Sequence, residues 1–456
     1  MIESSAPAVS TSVSAHATSA DLRDLAAFTL ERAHALGATA ADVEISTSVG
    51  QSVTVRLGEV ETIEHNRDKG MGITVYLGQQ RGNASTTDLS RAAIERTVKA
   101  ALAIAKYTAA DDCAGLADAD RLARPPFTDC DIYHPWGLSV DAAIELCQRI
   151  EAAAFAVDKR INNSEGASVS THESDFIYAN SNGFIGGYPT TRHSISCTMI
   201  AATEQGMQRD YWYSVARAGD RLDPAESVGR RAGERTVARL DARRVATGDF
   251  PVLFEAPVAS GIIGAFVGAV SGSALYRKSS FLMDSIGSQV FSPLVTINED
   301  PFLPHGLASG PFDAEGVATV TRDVVKDGVV QGYFLASYSA RKLGMQTTGN
   351  AGGNHNLIVP PGELDFAGLL KKMGRGLMVT ELMGQGVNNV TGDYSRGAAG
   401  FWVEGGEIAY PVEEITIAGN MKDMFKGITA VGNDVLSQGS KQVGSILIDR
   451  MAIAGE

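Results

Sequence analysis

The sequence predicts an α+β protein. An N-terminal α+β region with antiparallel strands and flanking helices is followed by a larger, barrel-like C-terminal domain rich in antiparallel sheet. Three observations carry this. The first hundred residues read helix, strands, helix. Alternating apolar runs recur in pairs around glycine turns, the pattern of hairpins. And 456 residues at 44% apolar and 20% charged are ordinary globular composition, long enough for two or three domains.

In chain order, residues 1–20 read as a disordered tail. From Asp21 a helix is expected, with Leu22, Leu25, Ala26, Leu30 and Ala33 on one stripe and Gly37 as its stop. "SVTVRLGEVETIEHN" alternates, turns at Gly58 and resumes at Val60, and "GMGITVYLG" reads as the next strand. A helix carrying Ile94, Val98, Ala101, Leu102 and Ala105 closes the unit 21–110. The unit 111–245 begins with an Asp- and Pro-rich connector and a helix from Ser139 to about Lys159. A meander turning at "NSNG" and "EQGM" comes next. Asp223-Pro224 then opens a helix to about Arg244, with Glu226 placed to complete its cap. Residues 246–456 form the larger domain. Its strand "FPVLFE" leads to hairpins turning at Asp327-Gly328 and Gly405-Gly406.

One segment stands apart. "GIIGAFVGAVSG", residues 261–272, has no charge, and Gly264, Gly268 and Gly272 recur every four residues. On one helix they share a face. Since glycine costs a helix interior roughly 1 kcal/mol against alanine, close approach of another backbone is the expected compensation.

Several chemistries are excluded. Acidic residues outnumber basic ones 53 to 39 and no Lys/Arg block occurs, which argues against nucleic-acid binding. No apolar run reaches the roughly 18 residues of a membrane span, and the start lacks a secretory signal, so the cytoplasm is expected. The four cysteines form no C-x-x-C pair, and no two histidines are spaced to serve as ligands on one helix. No metal site is expected. "DYSRG" approaches the G-x-S-x-G nucleophile elbow, but the last histidine, His355, precedes Ser395, against the order that elbow needs. No P-loop is present.

The segments "TTRHSIS", "SGSALYRKSS", "GLASGPFDAEGV", "SYSARKLG" and "TELMGQGVNNVTGDYSRGAAGFWVEGGEIAYPVEEITIAGNMKDMF" closely resemble the TldD/PmbA family, more narrowly its PmbA (TldE) branch. The likeness runs from about residue 22 to the end. It implies a cytosolic zinc metallopeptidase built as a TldD–TldE heterodimer. Such complexes act on unfolded or modified peptides, such as leader segments of peptide antibiotics and certain antitoxins. An older family label refers to DNA gyrase, but the acidic balance here gives direct DNA binding no support.

In the TldD branch, the helix matching 261–272 carries H-E-x-x-x-H. Laid on that pattern, Gly264 and Ala265 take the His-Glu positions and Ala269 the second histidine, and Val443 approximates a cysteine ligand. An ordinary helix turns the two histidine positions about 140° apart, so ligation there needs a local bulge. The resemblance implies a subunit with no cofactor of its own, zinc residing on a TldD-like partner. Tyr276, Arg277, Lys278, His355, Asp393, Tyr394, Ser395 and Arg396 are candidates for contact with peptide or partner. Two alternatives compete: a self-sufficient metallopeptidase in which His355, Asp393 and Glu404 meet, and a non-catalytic peptide-binding homodimer.

Overall fold

The computed structural model describes residues 19–455. Helix α1 (Ser19–Ala35) precedes a long ribbon of β1 (Ala40–Arg56) and β2 (Glu59–Leu77), then β3 (Gln80–Thr86) and α2 (Arg91–Tyr107). After the connector come α3 (Val140–Phe155), β4 (Ile161–Asn180), β5 (Ile185–Gly186), β6 (Pro189–Thr203), β7 (Gly206–Ala216) and α4 (Ala225–Ala238). These strands make one curled, antiparallel half-barrel in the order β3-β2-β1-β4-β6-β7, with β5 on β4. Because β1 pairs with β4, residues 40–216 share a single sheet.

Its helices lie on one face. Val43, Ile45, Met71 and Ile73 pack under Leu22, Ala26, Ile94 and Val98. Val53, Val55 and Trp212 pack under Ile150, Ala154 and Val228. The strand period of two sends Asp42, Glu44, Ser46 and Thr74 to the other face, where they line an open cleft.

The rest of the chain runs through β8 (Gly248–Phe254) and α5 (Ala256–Ala269). A small sheet follows from β9 (Ile297–Asp300), β10 (Arg322–Lys326), β11 (Val329–Val330) and β12 (Asn356–Ile358). Next are β13 (Gly376–Met383), β14 (Asp393–Glu404), β15 (Glu407–Asn420) and β16 (Ile428–Val431). The last are β17 (Lys441–Gln442), which joins the small sheet, and β18 (Ile446–Ala454). Pairing of β15 with β18 closes β15-β14-β13-β8-β18 into a five-stranded barrel. The turn signals hold their positions: Asp327-Gly328 and Gly405-Gly406 take positive φ, as does Leu57-Gly58 between β1 and β2.

Four expectations need correction. "GMGITVYLG" is not a separate strand, because β2 runs unbroken from Glu59 and stays in register with β1. Helix α4 stops at Ala238, where Arg239 turns into ion pairs with Asp210 and Glu381 and Asp241 takes φ +60°. Its N-terminus has no side-chain cap, since Glu226 pairs with Arg149 at 2.7 Å. The tail reading of residues 1–20 lies outside the described residues except at Ser19 and Ala20, which begin α1. Among the described residues no helix is long and apolar enough to cross a membrane.

Candidate functional site

The uncharged segment forms α5 only as far as Ala269. Pro257 lies in the first turn, where a missing N–H is harmless. Ala256 N–H donates to Ser445 Oγ at 3.0 Å, and Glu255 N–H to Val379 O at 3.0 Å, which fixes the helix start on the barrel. Ala259, Ile262, Ile263, Phe266 and Ala269 enter the core, where Phe266 meets Phe291 edge-on at 5.1 Å. Ser271 then caps a new short helix, Gly272–Tyr276.

The glycines therefore do not behave as one packed stripe. A Cβ on Gly272 would stand 2.1 Å from Ser339 Oγ, so there the approach is close, though of a side chain rather than the expected backbone. A Cβ on Gly261 or Gly268 would meet nothing within 4 Å, and one on Gly264 would meet only Lys441 Cε at 3.6 Å. The glycine face of α5 is open.

That face floors a groove. Two adjoining cavities of ≈ 350 Å³ each share Tyr213, Pro257, Ser260, Gly261 and Gln438. Gly264 and Lys441 line the first cavity, and Arg396 lines the second. Gln438 donates to Tyr213 O at 2.6 Å, clipping the 436–441 loop onto β7. Burial lowers the pKa of Lys441, whose ammonium stem crosses the Gly264 position. The far wall is ionic. Arg235 Nη1 reaches Glu255 at 2.8 Å, Arg239 reaches Glu381 at 2.5 Å, and both arginines face Asp210.

The other candidates fall elsewhere. Tyr276 stacks edge-on with Tyr338 at 5.7 Å, Arg277 lies over the Tyr276 ring, and exposed Lys278 takes φ +55°. This loop touches the one before β14, since Phe281 N–H donates to Asn389 O at 2.9 Å. Asp393 begins β14 beside it. Hydrogen bonds from Thr391 and Asn420 hold its carboxyl below the usual range. Tyr394 is buried and Ser395 exposed.

His355 ties loops together. Its backbone N–H donates to Glu299 at 2.9 Å, and its ring nitrogens face the carbonyls of Ala308 and Gly349. Glu404 accepts from Trp402 Nε1 at the far end of β14, roughly 35 Å along the strand from Asp393. His355, Asp393 and Glu404 thus do not meet. Lys441, Gln438 and Tyr213 had no sequence signal, because each lies far along the chain from α5.

Three family models account for most of the chain. The PmbA/TldA metallopeptidase domain 1 matches residues 41–105, the central domain 133–240 and the C-terminal domain 247–455. The chain belongs to the PmbA/TldD metallopeptidase family.

It is 52% identical to Metalloprotease PmbA of Escherichia coli O157:H7 over 416 residues, 91% of this chain and 92% of that one. It is 48% identical to the Metalloprotease PmbA homolog of Haemophilus influenzae over 450 residues, 98% and 99% of the two chains. A crystal structure from Bacteroides thetaiotaomicron, named for DNA gyrase modulation, superposes with TM-score 0.92 at 27% identity, covering 97% of this chain and all (100%) of that one. TldE from Thermococcus kodakarensis shares the fold, with TM-score 0.83 at 19% identity over 95% and 99% of the two chains.

Within this PmbA/TldD fold, the H-E-x-x-x-H pattern does not fit α5. Gly264, Ala265, Ala269 and Val443 carry no nitrogen, oxygen or sulfur on their side chains. Gly264 faces the groove, whereas Ala269 and Val443 are buried in the core.

Proposed function

We propose that this chain is the TldE-type subunit of a TldD–TldE metalloprotease. It carries no zinc at α5, pairs with a TldD-like subunit that supplies the metal, and helps hold an extended peptide substrate. The observation that carries the reading is the open glycine face of α5. Gly261 and Gly268 weaken the helix without packing against anything in the chain, and Gly261 and Gly264 leave a backbone-lined groove with Lys441 where a metal-binding side chain would project. A peptide main chain fits such a surface, since bare backbone and a few polar groups recognise peptides with little side-chain selectivity. A second feature suits strand addition. β3 covers only Met71–Leu77 of β2, leaving the outer edge of residues 59–70 exposed. Substrates of this kind are unfolded or modified peptides, including peptide-antibiotic leaders and antitoxins. Four free thiols suit a reducing cytoplasm.

The test is reconstitution. The chain alone, supplied with zinc, is expected to cleave no peptide. Mixed with a TldD-like partner it forms a one-to-one complex that cleaves. Replacing the partner's motif glutamate abolishes cleavage while the complex persists. Full-rate cleavage by either chain alone would overturn the division of labour.

A further inference from the structure

We propose that Asp131, His134 and His305 form a binding site for a divalent transition-metal ion of the zinc type, at the seam between the connector ahead of α3 and the C-terminal domain. The site is separate from the α5 groove and does not depend on its reading. Histidine spacing could not reveal it, because His134 and His305 come from loops 171 residues apart.

The donor set and its geometry carry the inference. His305 Nε2 stands 2.9 Å from Asp131 Oδ2 and His134 Nε2 3.1 Å from Asp131 Oδ1, and the three donor atoms all lie within 4.8 Å of one another. Zinc bound at about 2.0–2.1 Å in tetrahedral geometry sets neighbouring donors about 3.3 Å apart, so shifts of ångström size or less complete the site. Nε2 of each imidazole already meets one oxygen of the same carboxylate, and because the rings stack at 4.7 Å, one of them must rotate for both lone pairs to point at a shared ion. Two imidazoles and one carboxylate suit zinc and its neighbours better than magnesium or calcium, which favour all-oxygen shells.

The surroundings hold this arrangement. Asp131 and His305 adopt left-handed backbone, φ +51° and +58°, which non-glycine residues seldom take. Asp131 N–H donates to Asp129 Oδ1 at 2.8 Å and His305 N–H to Cys130 O at 3.1 Å, so both loops are pinned. Asp131 is 55% exposed and His305 16%, which leaves the outward side free for water to complete the coordination. Arg221 and Asp220 face the cluster with opposite charge.

One feature tempers affinity. Ligation through Nε2 moves the His305 proton to Nδ1, which is buried without an acceptor, and this weakens binding relative to a site whose second nitrogen is satisfied. The bound ion would clamp a seam that Arg217 already crosses through Leu307 O at 2.8 Å.

The experiment uses the full-length, tag-free chain, stripped with chelator, dialysed against zinc chloride and counted by elemental analysis. Cobalt(II) serves as the spectroscopic probe. The parent should bind one zinc, His134→Ala and His305→Ala should each bind at least tenfold more weakly, and exposed His172→Ala should match the parent. The two test variants lie on separate loops, so if one fails to fold the other decides. A parent without zinc, or both variants binding like the parent, would overturn the proposal and leave a hydrogen-bonded His–Asp–His latch. Zinc retained by both variants would overturn the proposal by placing the ion at other residues.

Discussion

Replacing glycines along 261–272 with alanine should give opposite signs at neighbouring positions. At Gly261 and Gly268 the backbone is right-handed helix and a new Cβ meets nothing within 4 Å. Alanine there restricts the unfolded chain and costs the folded one nothing. Each change should stabilise by about 0.5–1 kcal/mol. The two sites are about 10 Å apart along the helix and share no partner, so the double variant should gain the sum. At Gly272 the same methyl would lie 2.1 Å from Ser339 Oγ and 2.5 Å from its Cβ. Rotating the hydroxyl clears the first contact but not the second, so the helix Gly272–Tyr276 must move away from the helix Ser337–Lys342 that carries Ser339, and a loss of about 1–3 kcal/mol is expected. Urea titration of the three single variants and the double, followed by circular dichroism, reads the order directly. Destabilisation by Gly268→Ala would refute the open-face reading and restore a packed stripe.

Three further outcomes test other parts of the structure. Gly264→Trp should leave the chain folded, because its side chain enters the groove, yet abolish peptide cleavage by the reconstituted complex; unchanged cleavage would detach the groove from function. Burial pushes the Asp42 carboxyl up to about 7, so its folded state binds more protons than its unfolded state. Its contribution is full below about pH 4 and lost as pH rises through 7, and Asp42→Asn should flatten that slope in thermal melts. Arg235→Met leaves the buried carboxylates of Asp210 and Glu255 without their shared cation, Asp210 keeping only Arg239, and a loss of about 3–5 kcal/mol in denaturant titration is expected.

Features of the fold that depend on neighbours in sequence were legible. The hairpins at Asp327-Gly328 and Gly405-Gly406 need positive φ at two adjacent residues, a demand written into the residue types themselves. The stripe Ile94, Val98, Ala101, Leu102, Ala105 was readable because one side of α2 is core and the other water. The stop of α4 at Ala238 was not, since it depends on Arg239 finding Asp210 and Glu381, residues on β7 and β13.

The glycines of α5 show the limit most clearly. Gly264, Gly268 and Gly272 look identical as a periodic pattern, yet one contacts Ser339, one faces only Lys441 and one faces solvent. Periodicity says that residues share a face; it cannot say what lies opposite. That answer comes from β17, which brings Lys441 to α5, and from Ser271, which ends one helix and starts another before Gly272. The same logic applies to His134 and His305. A spacing rule sees ligands on a single helix, whereas here two loops in left-handed turns carry them to one carboxylate. In both places the sequence supplies chemically distinctive residues, bare backbone in one case and imidazole in the other, and the long-range pairing decides which of them face a ligand.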